Sequence, residues 1–154
     1  MNKEFGKLCA TARNKEGLTQ ETAAELFGVS IRSVSDYENG KTAVPDDIVA
    51  LMVKHYHASW LGYLYLQLTS DVGKEILPQV EIKELSQSIL DLQVKMEKVS
   101  KIQMPLAEVG ADNLVETHEQ SVYLKCMEII KLLIGSAIVV TLAPLTPINK
   151  KMLP

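Results

Sequence analysis

The stretch over residues 19–41, TQETAAELFGVSIRSVSDYENGK, constrains the fold more than any other part of the chain. Thr19 stands where a side-chain oxygen can accept from the free N–H groups that open a helix, and Ala23, Ala24 and Phe27 then fall on one side of that helix. Gly28 stops it at a point where a left-handed backbone turns the chain sharply. Ser30 can cap a second helix over residues 31–38, with Val34 and Tyr37 on its inner face and Asn39-Gly40 as its stop signal. Val29 fills the gap beneath the turn, and Ala24 is small where the two helices approach. Short helices joined in this way cross steeply and leave the outer side of the second uncovered.

The flanking segments also have helical periodicity. Phe5, Leu8, Cys9 and Ala12 form one apolar stripe before Gly17 breaks it. Pro45, at a first-turn position and followed by Asp46 and Asp47, predicts a helix carrying Ile48, Leu51, Met52 and His55 on one side. A break over residues 55–59 and a helix over 60–68 follow, and Asp71-Val72-Gly73 and Pro78 read as punctuation. Ile82, Leu85, Ile89, Leu92, Met96 and Val99 are spaced 3, 4, 3, 4, 3, a heptad seam. Pro105 and Gly110 close that region, and a last helix is expected from about Asn113 into the 130s, ended by Pro144 and Pro147. Only 5% of the residues are aromatic, against 47% hydrophobic and 23% charged, which favours helices packed on helices over disorder. The predicted fold class is all-α.

Thr19-Gln20, Ala23-Ala24, Gly28-Val29-Ser30 and the run from Val34 to Thr42, with Pro45 just beyond, resemble the Cro/CI-type (XRE) family of helix-turn-helix regulators over about residues 5–56. That family is known from phage repressors and many bacterial regulators. The resemblance implies an N-terminal lambda-repressor-like domain followed by a helical extension. It implies double-stranded DNA as partner, bound by a homodimer that inserts the third helix of each copy into the major groove. A sequence-specific transcriptional regulator, repressor-like and of phage or mobile-element type, is the function it suggests. The implied base-reading residues are Ile31, Arg32, Ser35 and Asp36, with Arg32 matched to guanine O6 and N7 and Ile31 to a thymine methyl. The implied phosphate contacts are Gln20, Ser30, Asn39, Lys41 and Thr42. Arg13 and Glu38 match a pair that forms an internal salt bridge in the family. Asp36 departs from the Gln, Arg or Lys usual at its position, and could accept from cytosine N4. Ala23 replaces a larger aliphatic residue, so Phe27 or Tyr37 is expected to fill the core there.

Charge does not announce a nucleic-acid partner. The net charge is -3 and the pI about 5.6. Residues 1–56 hold seven Lys/Arg and eight Asp/Glu, net -1, and the remainder nine and eleven, net -2. DNA binding would depend on the local field of a few cations. The acidic balance keeps an alternative open: a protein-interaction module, such as an antitoxin or anti-regulator with weak DNA binding, whose tail holds a protein partner.

The remaining features favour structural roles. His55 and His57, two apart, point to different sides of a helix and lack a third ligand of suitable spacing, so no metal and no cofactor is expected. Trp60, Tyr63 and Tyr65 fit a core or dimer face better than a ligand pocket. Nothing resembles a catalytic set, and no enzyme is expected. The heptad seam fits pairing between subunits as well as pairing with another helix of the same chain, and a dimer is expected through the extension. Residues 132–148 run 17 long without a charge, at the lower limit for a bilayer span. Gly135, Ser136 and the two prolines interrupt them, which favours a buried or dimer-forming helix over membrane insertion. Cys9 and Cys126 lie far apart and no secretory signal opens the chain, so a reduced, cytoplasmic setting is expected. The expected division is a DNA-binding domain over 1–57, an extension over 58–143 and a Pro-containing tail over 144–154.

Overall fold

The computed structural model describes residues 3–112 and 114–143. All regular structure among them is helical, and the chain divides between Leu77 and Pro78 into two compact units.

The first unit contains α1 (Lys3–Lys15), α2 (Gln20–Phe27), α3 (Ile31–Glu38), α4 (Asp46–His55), α5 (Ser59–Thr69) and α6 (Asp71–Ile76). The caps act as their chemistry requires. Thr19 accepts from Thr22 N–H at 3.2 Å and Ser30 from Ser33 N–H at 3.0 Å. Gly28 sits at φ 66°, ψ 31°, in the left-handed region that lets α2 stop and α3 leave in a new direction. Cys9, Ala23, Val34 and Met52 interlock at the centre, each fully buried, with Phe27, Tyr37 and Tyr56 around them. Ala23 is fully buried, and the Phe27 and Tyr56 rings pack on each other with centroids 5.5 Å apart.

Two expectations need correction. Pro45 is the N-cap of α4, with ψ 150°, and the helix begins one residue later at Asp46. Asp71-Val72-Gly73 is the start of α6, capped by Ser70, whose hydroxyl accepts from Gly73 N–H at 3.1 Å. The compact unit also extends beyond residue 57. α5 packs on α1 and α4, burying Trp60 and Leu61 and bringing the Tyr65 ring to 5.3 Å from that of Phe5. Trp60 therefore belongs to the core of this unit, while Tyr63 and Tyr65 are half-buried at its edge.

One buried group is left without a partner. Tyr56 is 2% exposed and its hydroxyl meets no hydrogen-bond partner among the described residues. Burial, reinforced by the Glu38 charge, pushes its pKa up, so the phenol stays protonated. An unmade buried hydrogen bond is unfavourable, so Tyr56→Phe is expected to raise stability by about 1 kcal/mol in urea unfolding. A loss of that size would show that the hydroxyl is satisfied in solution.

The second unit contains α7 (Leu85–Ser100), α8 (Gln103–Val109) and α9 (Gln120–Leu142). α7 begins three residues after Ile82, so the first seam residue precedes the helix. α9 starts at Gln120 rather than near Asn113, a residue that lies outside the described ones, as do Pro144, Pro147 and the rest of the 144–154 tail. α7 and α9 pair along their lengths through a face of α7 centred on Ser88, which is 1% exposed. Between them Ser136 Oγ donates to Asp91 Oδ2 at 2.6 Å, and Lys95 Nζ donates to Asp91 Oδ1 at 3.1 Å. Among the described residues no helix is long and apolar enough to cross a membrane. Both cysteines are free and buried, and burial pushes the Cys9 thiol up to about 12, which leaves it unreactive.

Candidate nucleic-acid interface

Local sequence positions α3, and a buried ion pair holds it. Val34, Tyr37 and Glu38 face inward, while Ile31 and Arg32 are exposed and Ser35 and Asp36 are half-buried on the outer side. The four residues expected to read bases therefore share one side of α3. Ile31 is 48% exposed, an uncommon place for a β-branched apolar side chain.

Glu38 ties the three N-terminal helices together. Its Oε1 accepts from Arg13 Nε at 2.6 Å and its Oε2 from Arg13 Nη2 at 3.0 Å, a bidentate pair whose side chains are 10% and 6% exposed. Arg13 Nη1 also donates to Leu18 O at 2.6 Å, so the loop before α2 is held by the same guanidinium. Gln20 Nε2 donates to Glu38 Oε2 at 2.7 Å. A carboxylate can only accept, so this bond fixes which end of the Gln20 amide faces inward. One amide N–H of Gln20 is thereby committed to the protein and one remains for a partner.

The other expected phosphate contacts lie at helix ends. The Ser30 hydroxyl caps α3 and is 2.8 Å from Ser33 Oγ. α3 has no acid in its first turn, which favours an anion at its N-terminus, whereas α2 carries Glu21 there. Glu21 is held below the usual carboxylate range by its own backbone N–H and by Thr19, which turns its charge toward the cap. Asn39 Nδ2 donates to Ser35 O at 2.8 Å, and Lys41 and Thr42 are exposed in the loop beyond.

Asp36 takes a role that local reading did not show. Its carboxylate lies 3.8 Å from Arg32 Nε and 3.4 Å from Lys41 Nζ, between the two cations of this surface. Lys3 was also missed. Gly40, at φ 64°, is packed so closely on α1 that an added Cβ would lie 2.7 Å from Lys3 Cα. The exposed Lys3 thus joins Lys41 at the far end of α3, through a contact 37 positions apart that no local pattern signals. His55 and His57 do not converge: His55 packs near Phe27, with centroids 6.4 Å apart, and His57 is exposed. No group of His, Cys, Asp and Glu suited to a metal occurs among the described residues.

Residues 10–60 match a family model described as helix-turn-helix. No curated protein and no solved structure matches the chain. The match covers the turn at Gly28, the caps Thr19 and Ser30 and the Arg13–Glu38 pair, the features that build the geometry described above. The N-terminal part of this chain is a DNA-binding helix-turn-helix domain of the XRE family.

Proposed function

We propose that the chain is a sequence-specific transcriptional regulator of repressor type, of the kind carried by phages and mobile elements. It binds duplex DNA as a homodimer with α3 of each copy in the major groove, in the cytoplasm, and acts by binding alone. The observation that carries this reading is Arg32, whose side chain is 90% exposed on the outer side of α3. Its ion pair with Asp36 is solvent-exposed and worth about 0–1 kcal/mol. A bidentate contact to guanine O6 and N7 is worth about 1–3 kcal/mol and would displace it. Ile31 meets a thymine methyl, while Ser35 and Asp36 offer hydrogen-bonding groups to neighbouring base edges. The free amide N–H of Gln20, with Ser30, Asn39, Lys41 and Thr42, contacts phosphates and sets the register. The extension pairs two copies, so that half-sites about one helical turn apart are read together.

Selection of random duplexes on the full-length protein at two salt concentrations tests this reading. A palindrome retained less tightly at the higher salt is expected, since phosphate contacts release counterions. Arg32→Ala should weaken that site by about 1–3 kcal/mol and relax the preference at one base pair. Recovery of no common sequence at either salt would sink the proposal.

A second reading, an interaction module of antitoxin or anti-regulator type, draws on the Asp36 carboxylate set between Arg32 and Lys41. It predicts weak DNA retention and a stoichiometric protein partner. The same selection, together with a pull-down, separates the two.

A further inference from the structure

α3 carries two acids with opposite fates. Glu38 faces inward and is spent on Arg13. Asp36 stays half-buried on the outer side, beside Arg32. Its backbone carbonyl accepts from Lys41 N–H at 2.9 Å and from Thr42 N–H at 3.3 Å, so the main chain of residue 36 holds the loop that follows the helix. The side chain is free for another task. It is 25% exposed, with Oδ1 3.4 Å from Lys41 Nζ and Oδ2 3.8 Å from Arg32 Nε. A carboxylate thus stands between the two cations of this surface.

That placement works against DNA of arbitrary sequence, where affinity comes from cations that neutralise phosphates. Asp36 reduces the cluster of Arg32, Lys41 and itself to a single net positive charge, and any phosphate that either cation approaches repels it. The bases of the major groove can reverse the sign. Cytosine offers an N4 amino donor there. Guanine offers acceptors, thymine an acceptor and a methyl group, and adenine a donor beside the N7 acceptor. A carboxylate can only accept, so cytosine is the base that suits it. Arg32 and Asp36 are four residues apart on one side of α3, about 6 Å along its axis, which is roughly two base-pair steps of 3.4 Å.

We propose that Asp36 sets specificity by restraint. It holds Arg32 and Lys41 back from the phosphates of arbitrary duplex. It releases them where a cytosine, within about two base pairs of the guanine read by Arg32, donates to its carboxylate. The proposal deepens the function given above and rests on the major-groove docking of α3 stated there. Specificity is a difference between two affinities, and lowering the unwanted one widens it as surely as raising the wanted one. An acid on a DNA-facing helix then has a use that a neutral or basic residue at the same position could not serve.

Two measurements on the full-length chain test the proposal: titration of a random-sequence duplex at two salt concentrations, and selection from random duplexes. Asp36→Asn and Asp36→Ala should both keep the helical circular dichroism of the parent, since the carbonyl of residue 36 holds the loop. Both should bind the random duplex more tightly at the lower salt, by roughly fivefold, the gain from removing a like charge several ångströms from a phosphate. Their binding should also fall more steeply with salt, by about one further counterion. In the selection the parent should recover the cytosine beside the guanine that Arg32→Ala ceases to select. Asp36→Asn should exchange that cytosine for adenine, which an amide reads through N6 and N7, and Asp36→Ala should show no preference there. An acid that served only the fold would move neither the salt slope nor the base identity. Variants that bind the random duplex no better than a parent that still selects a palindrome overturn the proposal and leave the regulator reading standing. A parent site without the cytosine overturns it too. A parent that selects no sequence removes the regulator reading and the cytosine with it, and the random-duplex titration then decides by itself whether Asp36 restrains the two cations.

Discussion

Glu38→Ala is expected to cost about 3–5 kcal/mol of folding stability, because it strands the Arg13 guanidinium in a buried site with no counter-charge. The carboxylate accepts three hydrogen bonds, two from Arg13 and one from Gln20, and all three donors lose it together. A small domain is stable by only about 5–15 kcal/mol, so such a loss would move the urea midpoint strongly. Replacing both partners with apolar residues of similar volume, Arg13→Met with Glu38→Leu, should recover most of the deficit, since the penalty comes from the uncompensated charge. A single-variant loss below about 1 kcal/mol would show that the pair behaves as a solvated surface bridge. The change should also reach the DNA surface, because Glu38 orients the amide at the start of α2.

Gly6→Ala carries the second large effect, and here two terms oppose each other. Alanine within a helix is favoured over glycine by about 1 kcal/mol. The added Cβ, however, would stand 2.6 Å from the Tyr37 carbonyl oxygen, 2.7 Å from that of Glu38 and 3.0 Å from Gly40 N. These are backbone atoms at the end of α3 and cannot rotate away, so the clash falls at the upper end of the range for overpacking, about 3 kcal/mol. The net expectation is a loss of about 2 kcal/mol in stability, with weakened duplex binding, because α1 must lift from the loop that carries Asn39, Lys41 and Thr42. Thermal unfolding and duplex binding measured on one preparation check both. A variant as stable as its parent, with unchanged DNA affinity, would refute this account.

The DNA-facing surface was legible wherever its cause is local. Thr19 and Ser30 are caps because a hydroxyl three residues before a free N–H can accept from it, and both bonds are present. Val34 and Tyr37 are buried and Arg32 exposed because helical spacing sets Arg32 about 160° around α3 from Val34 and about 140° from Tyr37. The engagement of Asp36 with Lys41 and the placement of Lys3 at Gly40 were not legible, since each needs the path of the chain after α3. α6 escaped notice for a different reason. It is six residues long, with Gly73 inside it, too short and too weak in propensity to leave a periodic trace.

The sequence alone determined that this chain is helical, where its first helices start and stop, and that a turn at Gly28 sets α3 across α2. Each of those depends on groups within about four residues of one another, where caps, turns and helical periodicity operate. Tertiary structure decided the rest: α5 and α6 join the first unit, Gln20 turns an amide inward to Glu38, and α7 meets α9 through Ser88 with Ile89 and Met96 of its seam left exposed. A periodic pattern shows that a helix has an apolar side. Which surface covers that side depends on contacts between segments far apart in the chain, and those contacts exist only once the chain has folded.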